Sequence, residues 1–349
     1  MDILAGRSDD ATGPTGAAAL LGYAAAEELE RFERLEDGLW ERSSLAPSVL
    51  ECVRLRCASA RGCRFCAAIR VTSAVEDGLA EQDLDHLDDP AARRALSPQQ
   101  RAALDLADRY LLYPSRPPAS EADHLVAVLG GQGIVEVLLA CAVFASADLR
   151  IALGQNAPPE GSGVVERRHT GRPALPGGCT WPRLDGPIVV PGEPLPLVDT
   201  QLVQLLEGLR SWLWDGRDLR ERTVATCVVR AAQLLGFAPE EPTSTLLLPP
   251  AVRELAPSPE EVARWPATAV GVDRAVVALG EQLWVDPAGV GERLVAPLQR
   301  DLGTAGVIRV AWRLIWIGQL HRIAGVLTVG IDRVVQPAGA QSVRRHGPS

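Results

Sequence analysis

The chain has 349 residues, 47% hydrophobic and 23% charged, which is a globular composition and enough length for two domains of ordinary size. The net charge of −9 comes with no block of basic residues, which argues against a protein that binds nucleic acid through its phosphates. The N-terminus carries an acidic pair where a secretory signal would be basic, and the longest apolar stretch, 307–331, is interrupted by arginines and a histidine. We therefore expect a cytoplasmic protein that does not bind a membrane, with cysteines that stay reduced unless they are catalytic or bind metal.

Helical patterns fill the first half of the chain, after a Gly/Asp/Ser-rich start over 1–15 that is expected to be disordered. The helices that these patterns predict lie at 16–41, 46–60, 63–78, 98–114 and, as two apolar stretches, 120–154. No alternating strand pattern appears in this half. We therefore predict an all-α domain over 16–154.

Residues 155–198 have a different composition, because proline and glycine are frequent there and no apolar periodicity survives. Such a segment is typical of an interdomain linker. Helical patterning resumes at residue 199 and continues to residue 335, which predicts a second all-α domain. The last residues, 336–349, are expected to form a disordered tail.

The second domain repeats the first. The segment 101–114, "RAALDLADRYLLYP", aligns with 274–287, "RAVVALGEQLWVDP", at a constant offset of 173 residues, and Leu129-Gly130 continues the register onto Leu302-Gly303. Upstream, "SVLECV" resembles "TVATCV" (223–228) at an offset of 175. We interpret this pattern as a tandem duplication whose two all-α repeats pack as a pseudo-dimer.

Cys63 and Cys66 form a C-x-x-C pair, which is compatible with half of a zinc site, a redox couple or two buried thiols. On a helix they share a face with Arg70, and the helix dipole with Arg61 and Arg64 favours a thiolate. A zinc site needs further ligands, and the other cysteines and the histidines show no ligand spacing. We therefore expect neither a metal nor a cofactor.

The duplication bears on this pair, because extending the weaker match sets Cys63 against Ala238 and Cys66 against Glu241. The second copy would thus be degenerate, with the scaffold kept and the cysteine chemistry lost. Glu51 lies on the helix before the cysteines, and a turn at Arg61-Gly62 would bring its carboxylate over them. It is then either a proton acceptor for a thiol or a solvated glutamate on an amphipathic helix.

The segment "ECVRLRCASARGCRFC" (51–66), with its E-x(11)-C-x-x-C spacing, resembles the core motif of the alkylhydroperoxidase D-like (AhpD-like) branch of the carboxymuconolactone decarboxylase superfamily. The later helices of the first domain are also similar to that family. The similarity covers about residues 35–155 and, more weakly, 200–330. It implies an all-α fold and a cytoplasmic thiol peroxidase or disulfide reductase, often a homo-oligomer.

The resemblance also implies roles for individual residues. Cys66 attacks a small peroxide or disulfide substrate, Cys63 resolves the product to a disulfide, an external thiol reductant restores the pair, and Glu51 begins the proton relay. Decarboxylase members of the superfamily lack this cysteine pair, which argues against lactone decarboxylation. The motif departs from the family at Arg70, where the family has a histidine, and at Phe65, where some members have another.

Arginine stays charged and only donates, so Arg70 cannot pass protons as a histidine does. Its possible roles are to pair with Glu51, to stabilise a Cys66 thiolate or to bind an anionic substrate. Two further hypotheses follow: a different reaction on the same scaffold, with Arg70 binding an acidic substrate, or a non-catalytic scaffold that binds a partner.

Overall fold

The computed structural model describes most of both predicted domains and a few short pieces between them. The described residues are 26–84, 87–89, 91–154, 156–158, 163–165, 167, 169, 219–236, 254–268 and 271–327. The predicted disordered ends, 1–15 and 336–349, and most of the predicted linker lie outside these residues.

Helices make up most of the described structure, and the prediction of an all-α fold is confirmed. The α-helices are α1 (Ala26–Arg42), α2 (Pro47–Arg61), α3 (Arg64–Ala68), α4 (Thr72–Glu76), α5 (Glu81–Leu84), α6 (Pro98–Leu112), α7 (Ala119–Ala145), α8 (Asp148–Ala152), α9 (Glu221–Leu234), α10 (Pro259–Thr268), α11 (Gly271–Val285) and α12 (Glu292–Leu327). Short 3₁₀ turns lie at Ala92–Ala95 and Pro287–Gly289, and two short strands are β1 (Ile69–Val71) and β2 (Gly163–Val165).

Two predictions are wrong here: that residues 63–78 form one helix, and that the first half of the chain has no strand. The helix after the cysteines is interrupted by β1, which pairs in parallel with β2. The physical reason lies in α2, where Arg54 Nη2 donates to the carbonyl of Ile69 at 2.6 Å and Glu51 Oε1 accepts from the backbone N–H of Val71 at 3.3 Å. Because these side chains occupy backbone groups that a helix would use, the chain leaves the helical conformation here.

The first domain is built around α2, α6 and α7, which pack against one another. α2 begins with Pro47, whose missing N–H costs nothing in the first turn, and its first twelve residues are buried. α6 begins with a capping box in which Ser97 Oγ accepts from the backbone N–H of Gln100, and the Gln100 side chain accepts from that of Ser97. Helix α2 is thus buried against α6 and α7, and it carries Glu51, the first of the predicted site residues along the chain.

The register of the sequence repeat recurs in the helices. α6 and α11 begin and end at an offset of 173 residues, and α7 and α12 begin at that same offset. Each of the latter two is kinked at a glycine, Gly130 with φ 68° and ψ 167°, and Gly303 with φ 66° and ψ 172°. A residue with a side chain is strained at such angles, so glycine is required at both kinks. The kinks in the two helices thus lie at the same offset of 173 residues as the aligned sequence segments.

The two helical regions pack together through α12, which lies against α6, α7 and α8. The buried hydroxyl of Tyr110 donates to Oε1 of Gln319 at 2.6 Å, and Arg322 Nη1 donates to the carbonyl of Leu111 at 2.8 Å. His321 is also buried here, and burial lowers its pKa from 6.5 to about 4, so its ring is neutral at physiological pH. The contacts of Tyr110 and Arg322 join α12 to the first helical region, whereas the ring of His321 contacts the carbonyl of Val228 on α9.

Among the described residues, the span Ala119–Ala152 is long and apolar enough to cross a membrane by length and composition. Two thirds of its most apolar window, 67%, is buried inside the protein, and the core helix of a soluble protein passes the same test. The stretch that the sequence analysis singled out belongs to α12, where the described residues are mostly buried.

Candidate functional site

The cysteine pair sits in the tight turn between α2 and α3. α2 ends at Gly62, whose positive φ of 70° closes the helix, and the backbone N–H of Cys63 then bonds to the carbonyl of Ala58 at 2.8 Å. Asn156, just after α8, binds both sides of this turn. It donates to the carbonyl of Gly62 at 2.8 Å and accepts from the backbone N–H of Arg64 at 2.6 Å. The turn is therefore held by a side chain at the start of the predicted linker.

Cys63 and Cys66 are joined by a disulfide with a Cα–Cα distance of 5.3 Å, within the usual range for such bonds. Their surroundings differ. Cys63 is 1% exposed and packs with Ala58 and Ile151 in a small apolar cluster, whereas Cys66 is partly exposed and lines a pocket. Cys66 is therefore the sulfur that a molecule in that pocket can reach.

Glu51 lies beneath this turn, 1% exposed, and forms a two-bond ion pair with Arg54 one turn further along α2. Both bonds are 2.7 Å long. Arg54 then links the pair to the cysteine turn, because its Nη1 donates to the carbonyl of Cys66 at 2.7 Å. The structure thus connects Glu51 to Cys66 through a guanidinium. The solvated glutamate that the sequence left open is excluded by this burial.

Arg70 lies in β1. The prediction that it shares a helical face with Cys63 and Cys66 is therefore wrong. Its guanidinium forms a salt bridge with Glu81 and donates to the carbonyls of Ala67 and Ile69. The pairing with Glu51 that the sequence offered for Arg70 is made by Arg54. Arg70 is also not among the residues that line the pocket at Cys66.

The pocket beside Cys66 has a volume of about 160 Å³ and is partly open. Its walls are apolar on most sides and carry a few charges. The hydrophobic lining residues are Phe32, Phe65, Ile69, Val71, Val143, Phe144, Leu149, Val165 and Trp312. The charged lining residues are Glu33, Glu36, Arg54, Arg150 and Arg167. Such a mixture of apolar walls with a few placed charges is typical of a small-molecule site.

Glu36, on α1, is a carboxylate in this pocket that the sequence analysis did not identify. Burial raises the pKa of its carboxyl above its ordinary value, although Arg167 and Arg54 act in the opposite direction. The side chain is 21% exposed, and Arg167 Nη2 lies 3.6 Å from it. Its raised pKa and its place beside Cys66 make Glu36 a group that can exchange a proton in the pocket.

Two lining residues come from parts of the chain that the sequence analysis kept apart from the site. Arg167 follows β2, in the predicted linker, and forms a 2.5 Å ion pair with Asp37 of α1. Trp312 lies on α12, in the second helical region, and its ring packs 4.9 Å from that of Phe32. The pocket at Cys66 is therefore completed by residues from the predicted linker and from the second helical region.

The other described cysteines are buried: Cys52, Cys57, Cys141 and Cys227. Burial raises the pKa of Cys141 and that of Cys227, which keeps both as thiols. Within the part of the chain that the structure describes, no group of three or more His, Cys, Asp and Glu side chains is placed to hold a metal ion. Of the described cysteines, Cys63 and Cys66 at the pocket are thus the two that are placed to react.

Comparison with known proteins gives one family. Residues 26–109 match the model of the carboxymuconolactone decarboxylase family, a segment that contains Glu51, Cys63, Cys66 and Arg70 and ends within α6. Neither the curated proteins nor the solved structures contain a match to the chain. The family match supports the superfamily that the cysteine motif resembles.

Proposed function

We propose that this chain is a thiol-dependent oxidoreductase of the AhpD-like type, which reduces a small organic hydroperoxide or disulfide. The observation that carries the proposal is the unequal placement of the two sulfurs. Cys66 lines the pocket, while Cys63 is buried behind it and already bonded to it. An attacking thiol that meets substrate and a resolving thiol that meets only its partner need this arrangement.

The proposed cycle starts from the reduced pair. The Cys66 thiolate attacks the distal peroxide oxygen, the O–O bond breaks, and the alkoxide takes a proton to leave as an alcohol, with Cys66 left as a sulfenic acid. Cys63 then attacks the sulfur of Cys66, forming the disulfide and releasing water. Two thiols of an external reductant restore the pair and become a disulfide themselves.

The proton for the leaving alkoxide is assigned to Glu36. Its carboxyl lines the same pocket as Cys66 and holds its proton more tightly than an ordinary glutamate does. Glu51 receives a different role, because both of its oxygens are bonded to Arg54. We assign it to positioning Arg54, which in turn holds the carbonyl of Cys66 and places a positive charge near the thiolate.

We propose that the second helical region arose by duplication and lost its own cysteine pair. The shared offset of α6 with α11 and the matched kinks at Gly130 and Gly303 support this origin. In this proposal the two repeats form a pseudo-dimer, and the second repeat serves the first by supplying Trp312 to the pocket wall. Assembly into a homo-oligomer and a cytoplasmic location complete the proposal.

The proposal predicts that one equivalent of peroxide reoxidises the reduced protein. After dithiothreitol is removed, cumene hydroperoxide should lower the intact mass by two hydrogen atoms, and peptide mapping should locate the new bond between Cys63 and Cys66. The buried Cys227 gives a matched control, since Cys227→Ser should respond as the natural chain does. Reduced protein whose Cys63 and Cys66 both stay as thiols under native conditions contradicts the proposal.

A second prediction concerns the pH dependence of this reaction. A donor carboxyl acts only while protonated, so the rate should fall as pH rises through the raised pKa of Glu36, against the rise from thiolate formation. Glu36→Gln should lose that falling limb and lower kcat/KM by about 10²-fold. Glu33→Gln, on the same pocket wall, is the control. An unchanged pH profile in Glu36→Gln would remove Glu36 from the mechanism.

A further inference from the structure

Arg150 is a positively charged residue of the pocket to which the proposed reaction gives no role. It lies on α8, is partly buried, and its guanidinium carbon sits 3.9 Å from the centre of the Phe65 ring. Within the described residues it forms neither a hydrogen bond nor an ion pair. Glu36 is the acidic side chain that acts on Arg150 electrostatically, and burial lowers the pKa of Arg150.

The other two arginines of the pocket are already neutralised. Arg54 is held by Glu51 through two bonds, and Arg167 is held by Asp37 with Glu36 nearby. Each of these ion pairs compensates the charge of its guanidinium. Arg150 differs from these two arginines because it forms no ion pair within the described residues, and a desolvated cation gains most from an anionic ligand.

The position of Arg150 relates it directly to the reactive sulfur. Its guanidinium is stacked on Phe65, the residue that precedes Cys66, and both Phe65 and Cys66 line the pocket. Stacking on an aromatic face fixes the plane of the guanidinium and leaves its edge donors for a ligand. A ligand anchored at Arg150 thus has its remaining atoms in the same small pocket as the Cys66 sulfur.

The pocket walls determine the size and polarity of the part of the ligand that carries the anionic group. Most of the lining is apolar, with aromatic rings from Phe32, Phe144 and Trp312, and the volume of about 160 Å³ is small beside the roughly 300–1,000 Å³ of pockets for drug-sized ligands. The acidic side chain of Glu33 on the same wall opposes a ligand with several negative charges. The pocket therefore fits a small apolar body that bears one negative group.

We infer that Arg150 anchors the carboxylate of the substrate, and that the substrates are small aromatic or branched aliphatic hydroperoxides or disulfides that carry a single carboxylate. This inference rests on the proposed function for the reaction at Cys66, while the anchoring itself is independent of turnover. Arg150, stacked on Phe65, takes the anion-binding role that the sequence analysis offered for Arg70.

Binding tests the anchor without requiring any reaction. Isothermal titration of the reduced protein should give an affinity for 4-isopropylbenzoate about ten- to a hundredfold above that for 4-isopropylbenzamide, which has the same shape without the charge. Arg150→Gln should bring the two affinities within about twofold. Arg150→Lys, which keeps the charge and loses the planar stack, should recover part of the difference. Arg94→Gln, at an exposed site in the 3₁₀ turn, is the control.

Turnover then separates the two proposals. The natural chain should favour 4-carboxycumene hydroperoxide over its methyl ester by a similar ratio in kcat/KM, and Arg150→Gln should abolish that ratio. Selective benzoate binding without any peroxide turnover would overturn the proposed function and leave the anchor standing. Equal affinities for benzoate and benzamide in the natural chain, or a preference that survives in Arg150→Gln, would overturn the anchor. The first comparison needs no variant, so it stands even where Arg150→Gln fails to fold.

Discussion

Cys66→Ser is expected to lower peroxide turnover by about 10³-fold or more, because it removes the nucleophile that lines the pocket. Cys63→Ser is expected to behave differently. Its Cys66 still meets substrate, so one peroxide should be consumed per chain, and the sulfenic acid should then persist because no resolving thiol remains. Stopped-flow consumption of cumene hydroperoxide and trapping of the sulfenic acid with dimedone measure these two outcomes.

The asymmetry between the two variants is the informative result. Serine at position 63 occupies a buried site 1% exposed, next to Ala58 and Ile151, so thermal unfolding of both variants should accompany the kinetics. Cys52→Ser, in the same helix as Glu51 and also buried, is a matched control for loss of a core thiol. Dimedone on Cys63 in the Cys66→Ser chain, after the same exposure to peroxide, would reverse the assignment of the two thiols.

Glu51→Ala is expected to lower the free energy of unfolding by about 3–5 kcal/mol, because it leaves the guanidinium of Arg54 buried without its counter-charge. The side chains of Glu51 and Arg54 are 1% and 8% exposed, so water cannot replace the lost carboxylate. The damage should extend to the redox pair, since Arg54 holds the carbonyls of Cys66 and Ile69. Urea unfolding and the rate of Cys66 alkylation in the reduced chain measure both effects.

An exposed pair in the same region provides the control. Arg70→Ala breaks the salt bridge with Glu81, whose side chain is 68% exposed, and should cost less than about 1 kcal/mol. The double variant Glu51→Ala/Arg54→Met removes both charges and should recover much of the loss. A Glu51→Ala chain as stable as Arg70→Ala would show that the buried pair contributes little.

Arg70→His is not expected to restore a proton relay, because Arg70 lies outside the pocket lining.

Much of the helical framework was predictable from local patterns. The α2 and α6 helices follow from their apolar spacing and from their start signals, Pro47 and Ser97 with Gln100. The break at Gly62 was predictable because a glycine follows the last helical residue, and the helix ends there in the left-handed conformation. These signals act over a few residues, so a single segment contains all of the information that they need.

The short strand β1 was not predictable by the same means. Residues 63–78 carry a helical pattern, but the backbone groups of Ile69 and Val71 are taken by Arg54 and Glu51, fifteen or more positions away in sequence. A tertiary hydrogen bond thus outweighed a local preference. Arg54 had one signal that the sequence analysis did not use, its i+3 spacing from Glu51.

The remaining site residues had no local signal of a shared pocket. Glu36 lies on α1, Arg150 on α8, Arg167 after β2 and Trp312 on α12, and only packing of these elements brings them beside Cys66. Their separations along the chain are long, so neither periodicity nor spacing relates them. Asp148 and Arg150 both interrupt the apolar run after α7, but nothing in their spacing relates them to Cys66.

Spacing along the chain is sufficient to predict the all-α class and to locate the C-x-x-C pair with its glutamate, and it also suggests the repeat. The packing of the helices shows which sulfur lies at a pocket and which arginine neutralises Glu51, and it supports the proposal that Arg150 anchors a ligand. Burial, charge pairing and access are properties of the space between elements. They arise where α1, α2, α8, β2 and α12 converge, and no one of these segments carries them alone.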